Sequence, residues 1–409
     1  MAEQKPKNKV QKQSTVESSD PTKIPVAKLP AIVIRKTTAS ESIGSFVDGL
    51  IASYSKGGIA ISNKKVNTEF LDSGNLALNY ILTGNFDVGY PEGQVIEIHG
   101  ESASGKSLLL YIAIRNFLEK YLDAVAILDD AEFAYVQYLN SELTLDESRL
   151  ITISSSTVED HANLIWLGGQ VSSLEKPVEV PLVRALLSKT KHIMVVLDSL
   201  AVLSTNHELG LGLAKPNMDK AKLIKASMRV IMPLIKNHQV SYFVSNHLID
   251  KIVTGPTAQF TGPLKVTPGG GGVVFQASVR VSLNPCKKLT IKDTHEVIGM
   301  ISRAKTVKNR FAPPFRSCEI EIRFDKGLSK FSGLVPLLKM LGVLKTLDGG
   351  WYEVPGCTKF QEKQIPEIWD SKLKPALVSG KIKVRELEAE ALAPNELKLA
   401  DLGIEEEQK

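Results

Sequence analysis

The stretch "QVIEIHGESASGKSLLLYIAI", Gln94–Ile114, decides the fold. Its opening residues read as a buried strand and its closing residues as a helix. Between them Gly100, Gly105, Lys106 and Ser107 complete the pattern G-x-x-x-x-G-K-[ST]. In that setting glycines let backbone N–H groups close around phosphate oxygens, a lysine reaches the terminal phosphates, and the hydroxyl that follows ligates Mg²⁺. The turn Gly100, Glu101, Ser102, Ala103, Ser104, Gly105, Lys106 and Ser107, with Leu108 behind it, is therefore the candidate site for a nucleoside triphosphate.

Working outward, three more runs, "AVAILDD" (Ala124–Asp130), "HIMVVLD" (His192–Asp198) and "SYFVSNH" (Ser241–His247), are too continuously apolar for a half-exposed antiparallel strand. Helical stretches separate them, which predicts an α/β fold: a mostly parallel sheet with helices on both faces. "VVFQASVRVSL", "EVIGMISRAKTV" and "SCEIEIRF" read as an antiparallel extension. The expected domains are a disordered tail (1–30), an N-terminal segment (31–64), a nucleotide-binding core (65–330), a small C-terminal α+β domain (331–395) and an acidic tail (396–409). In the second of these, Ile43, Phe46, Val47, Leu50, Ile51 and Tyr54 form one apolar helical stripe, followed by the short strand Ile59–Ile61.

Composition bounds the function classes. The chain has 409 residues, 43% hydrophobic content and a net charge of +5, which permits a nucleic-acid partner without demanding one. No apolar run approaches the roughly 18 residues of a membrane span, and the lysine-rich start lacks a secretory apolar segment, so a cytoplasmic location is expected. Cys286, Cys318 and Cys357 are too dispersed for a disulfide framework or a cysteine metal site.

A Mg²⁺ site beside a phosphate loop needs a carboxylate at a strand end, and Asp198 supplies it together with Ser107. Hydrolysis also needs a group that orients water. "LDDAEFAY" ends another strand with Asp129, Asp130 and Glu132, and their spacing leaves the choice among the three open.

These residues, with "KKVNTEFLDSGNLALNYIL", "VVLDSLAVLS", "VSNH", "GGGGVVFQASVRV", "KTVKNRFAPPF" and "GLSKFSGLVPL" in order, resemble the RecA family of DNA recombinases, and within it the bacteriophage UvsX-like branch. The resemblance covers Lys65–Tyr352. It implies a RecA-type P-loop ATPase core in which Glu132 activates water and Tyr138 lies near the adenine. It also implies that His247 senses the terminal phosphate, where cellular members carry glutamine, and that Lys308 and Arg310 reach a neighbouring subunit's nucleotide as cations supplied in trans. Phe275 resembles the residue that couples the preceding loop to the next subunit.

Two segments suit DNA. Lys222, Lys225 and Arg229 fall at i, i+3 and i+7, one helix face, as phosphate contacts require. The long aperiodic stretch Leu248–Gly272 carries Lys251 and Lys265, an aromatic Phe260, and Gly269 and Gly270 with unobstructed N–H groups. In the resembling proteins these are the loops that line a filament axis and contact the DNA backbone. The resemblance thus implies a DNA-dependent ATPase that polymerises on single-stranded DNA, pairs it with homologous duplex, and works with a single-strand-binding protein and a loading mediator. A ring-forming helicase with the same core, and a non-enzymatic single-strand coat protein, are the alternatives.

Overall fold

The computed structural model describes residues 68–135, 144–211, 219–251 and 264–379. The larger elements, in chain order, are α1 (Leu76–Thr83), β1 (Val95–Gly100), α2 (Lys106–Lys120), β2 (Val125–Asp130), β3 (Leu150–Ile153), β4 (Ile193–Asp198), α3 (Asp219–His238), β5 (Ser241–His247), α4 (Gly271–Gln276), β6 (Val279–Thr290), β7 (Val297–Asn309), β8 (Ser317–Arg323), β9 (Gly327–Leu328) and α5 (Leu334–Met340). The nine strands form one sheet in the order β9-β8-β7-β6-β1-β5-β4-β2-β3. From β6 to β3 every pairing is parallel, while β7, β8 and β9 extend the sheet antiparallel.

The continuous apolar runs follow from this placement. Successive residues of a central strand point to opposite faces, and both faces are covered. On one face Ile96, Ile98, Leu128, Val196 and Phe243 meet Leu109, Tyr111, Ile112 and Phe117 of α2. On the other, Val95, Ile127, Val195, Leu197 and Val244 meet Ile224, Met228, Ile231 and Ile235 of α3. Each fully buried Leu, Ile or Phe contributes about 1.5–3 kcal/mol to that packing.

α1 is fixed to the far edge by its cap. Asn75 Oδ1 accepts from the Leu78 N–H at 2.8 Å, and Asn75 Nδ2 donates to the Ser329 carbonyl at 2.8 Å. The stretch after Phe331 contains α5 and a three-stranded sheet of its own (Lys345–Thr346, Trp351–Glu353, Phe360–Gln361). Its Leu334, Leu338, Phe360 and Trp369 run into the same apolar cluster as α1 and α2, with the Trp369 ring edge-on to Phe86 at 5.5 Å.

One local expectation is corrected. "VVFQ" is helical in α4 and not part of a strand: a short apolar run has no period to tell the two apart, and here Val273 faces α3. The stretch "TNHELGL" holds the helix Asn206–Leu211, because Thr205 Oγ1 accepts from the Glu208 N–H and Glu208 Oε2 accepts from the Thr205 N–H, each at 3.1 Å. No described helix is long and apolar enough to cross a membrane. The helix and strand expected within residues 41–61, Tyr138, Phe260 and both tails lie outside the described residues.

Candidate active site and nucleic-acid interface

The phosphate loop forms because its glycines sit where side chains do not fit. A Cβ on Gly100 would stand 2.1 Å from the Leu283 carbonyl oxygen of β6, and one on Gly105, at φ +97°, would stand 2.2 Å from Ile322 Cδ1. Gly105 caps α2 without a side-chain bond, which leaves the first amides of the helix open to an anion. Lys106 is buried, and its ammonium rests on the carbonyls of Gly100 at 3.3 Å and Glu101 at 2.8 Å. Burial lowers its pKa, and the carboxylates of Glu132 and Asp198 oppose that. An incoming phosphate would replace two neutral carbonyls by charged oxygens. Glu101, Ser102 and Ala103 are exposed, Ser104 is buried, and Leu108 belongs to the core.

The three carboxylates left open by sequence part company here. Asp129 is fully buried, with Oδ1 accepting from the Ser155 N–H at 2.8 Å and Oδ2 lying 2.7 Å from His161 Nδ1. His161 Nε2 in turn meets the Tyr242 hydroxyl at 2.9 Å. Asp130 accepts from the N–H groups of Ala134 at 3.1 Å and Tyr135 at 2.9 Å, and so shapes the turn after β2. Glu132 retains 26% side-chain exposure, accepts from the Ser199 hydroxyl, and has Oε1 2.8 Å from His247 Nε2. Burial pushes its carboxyl upward, but Ser199, His247 and Lys106 outweigh this and hold it below the ordinary glutamate value.

Asp198 lies level with Asp130 on the neighbouring strand. Burial raises its pKa, the Ser245 and Ser107 hydroxyls oppose the rise, and Glu132 and Asp130 add to it. Its Oδ2 is buried without a hydrogen-bond partner. A solitary buried carboxylate oxygen amid other carboxylates fits a divalent cation, and Ser107 is the second oxygen donor at hand. Sequence reasoning missed Ser199 and Ser245. The visible signal was a serine beside Asp198 and Ser245, the second of two serines in the run of β5.

Lys308 and Arg310 are not gathered around Lys106 in this protomer. Lys308 Nζ donates to the carbonyls of Val274 at 3.0 Å and Phe275 at 2.8 Å, and Arg310 Nη2 to that of Phe275 at 3.3 Å, so both cations sit at the C-terminal end of α4. Phe275 itself is 67% exposed.

Lys222, Lys225 and Arg229 all stand exposed on α3. The glycine segment packs beside them: a Cβ on Gly272 would lie 3.0 Å from the Lys225 backbone, and one on Gly269 3.1 Å from Ile224 Cδ1. Gly269 and Gly270 have φ of 91° and 59°. For Lys251 and Lys265 only the backbone is described, as the facing strands Ile249–Lys251 and Leu264–Val266.

Residues 45–329 match the RecA N-terminal domain family. Protein RecA of Bacteroides thetaiotaomicron is 30% identical over 286 residues, 69% of this chain and 77% of that protein. Protein RecA of Tropheryma whipplei is 28% identical over 322 residues, covering 78% and 66%, and that of Synechococcus sp. 28% over 306 residues, covering 75% and 73%.

Proposed function

The chain belongs to the RecA family, and from that premise we propose that it is an ATP-dependent DNA strand-exchange recombinase that forms a helical filament on single-stranded DNA and pairs it with homologous duplex. The observation that carries this reading is the convergence of Lys106, Asp198, Glu132 and His247 at neighbouring strand ends. Lys106 gives up its carbonyl contacts to bind the terminal phosphates of ATP. Ser107 and Asp198 hold Mg²⁺, which neutralises phosphate charge. Glu132, fixed by Ser199 and His247, accepts a proton from the attacking water.

His247 reports the occupied state to the segment that follows β5. Lys308 and Arg310 act on the nucleotide of an adjacent protomer, so that turnover waits for assembly. Lys222, Lys225, Arg229, Lys251 and Lys265 take the DNA phosphates, Gly269 and Gly270 offer N–H groups, and Phe260 stacks on bases. Tyr138 lies near the adenine, and residues 31–64 join one protomer to the next. Kinship with the UvsX-like branch, a cytoplasmic location, and cooperation with a single-strand-binding protein and a mediator complete the proposal.

The decisive experiment is strand exchange between a circular single strand and homologous linear duplex, with and without ATP. Joint molecules that require ATP are expected. Phosphate release without joint molecules, on ring assemblies, would select the helicase. Nucleotide binding without turnover would select the coat protein.

A further inference from the structure

Ser245 is fully buried in β5, with Ile98 of β1 beside it on one side and the Leu197–Asp198 end of β4 on the other. Burial alone gives no reason for a hydroxyl there, because one taken out of water costs free energy unless it is hydrogen-bonded. The bond that Ser245 makes is to a carboxylate of the nucleotide site. Its Oγ donates to Asp198 Oδ1, and the Leu197 carbonyl is a more distant acceptor at 3.4 Å. Its own carbonyl accepts from the Leu200 N–H at 3.2 Å. Ser245 therefore holds the chain on both sides of Ser199, whose hydroxyl donates to Glu132.

A carboxylate can present either oxygen to a cation by turning about its last side-chain torsion. A hydroxyl bond to one oxygen, strengthened by the carboxylate's charge, opposes that turn. Here it occupies Oδ1 and leaves Oδ2, the atom that is buried without a hydrogen-bond partner. Mg²⁺ tolerates little departure from octahedral geometry, so a carboxylate already fixed in direction loses less freedom when the ion arrives. We infer that Ser245 is a positioning residue for the divalent cation: its hydroxyl fixes the Asp198 carboxylate so that Oδ2 is the oxygen offered to the ion or to a water on it. The hydroxyl–carboxylate contact stands by itself; that the ion is Mg²⁺ arriving with ATP rests on the function proposed above.

The test is the calorimetric affinity of the full chain for a non-hydrolysable ATP analogue, measured in saturating Mg²⁺ and again in EDTA. In the unsubstituted chain Mg²⁺ tightens binding. Ser245→Ala lowers the ratio of the two affinities about tenfold, as for one lost hydrogen bond to a charged group, and leaves the affinity in EDTA unchanged. Mn²⁺ in place of Mg²⁺, followed by the loss of its free-ion spin resonance, shows the same weakening with the metal itself as the probe. Ser245→Thr keeps the hydroxyl and keeps the ratio. Ser245→Cys, a weak donor, falls between and keeps the test intact should Ser245→Ala fail to fold. Ser199→Ala leaves Asp198 Oδ1 with its donor and so leaves the ratio as it was, whereas a general loosening of the segment would lower it too. A folded Ser245→Ala with the unsubstituted ratio, or one that loses affinity equally in Mg²⁺ and in EDTA, would overturn the inference and leave the metal reading standing. An analogue affinity indifferent to both metals in the unsubstituted chain would overturn the metal reading of Asp198 and the inference with it.

Discussion

At the nucleotide end of the sheet Lys106, Asp198 and Asp129 are 6%, 1% and 0% exposed, whereas Lys225 and Arg229 stand in solvent along α3. The first group works in a medium where charge is poorly screened, and each member is held by named partners. The second has water and salt around it, so its members act additively and weakly. Under the proposed function, the difference gives one part of the molecule the task of distinguishing states of a ligand and the other that of holding a polyanion. Substitutions in the two should therefore fail in different ways.

The largest expected effect is on Glu132. Glu132→Gln keeps a side chain that Ser199 and His247 can still contact but removes the base, so phosphate release should fall by about 10²–10⁴ while ATP still binds. Normal turnover in this variant would move the role away from Glu132. Next comes Lys106→Ala, which strips the terminal phosphates of a desolvated countercharge. ATP affinity, read by calorimetry, should fall roughly a hundredfold. An unchanged affinity would mean that Lys106 stays on the Gly100 and Glu101 carbonyls with nucleotide bound.

Lys225→Ala should cost only a few fold in single-strand affinity, with the slope of log affinity against log salt shallower by about one. A loss that ignores salt would break the contrast, because it would give Lys225 a fixed partner like those of the buried group. The smallest effect is a displacement in pH. Glu132 is held below the ordinary glutamate value, so its ionised form persists as pH falls and is lost only through that lower value. Ser199→Ala removes one of the bonds responsible and should move the acid limb of the pH–rate profile upward. A limb that stays in place would assign the depression to His247 and Lys106.

The same contrast separates what the sequence makes legible from what it does not. Lys106, Ser107 and Asp198 lie in short local patterns, Glu132 and His247 were singled out by the family resemblance, and the runs that contain β2, β4 and β5 are largely apolar. β3, only partly buried, gives no such run. "VVFQ" and "TNHELGL" are too short for a period, and their helices come from a contact with α3 and a cap. The partners that set the chemistry are farther away in the chain: Ser199 joins Glu132 across 67 residues and Tyr242 joins His161 across 81. Glu97 and His99, polar residues alternating with apolar ones inside "QVIEIHG", were the visible sign that this strand faces something other than core at its end.

The central place of β1 also bears on how the protein is made. Both strands that flank it are synthesised long after it: Asn246 reaches Glu97 from 149 residues away, and Arg280 from 183. Until those segments leave the ribosome, β1 has two open edges. Contacts of such sequence separation form slowly, and exposed strand edges invite wrong pairing. A nascent chain stopped before β5 would carry the whole phosphate loop and still have nowhere to hold a nucleotide. Affinity for ATP should therefore emerge late and abruptly in translation, and chaperone dependence should be greatest in the interval before it does.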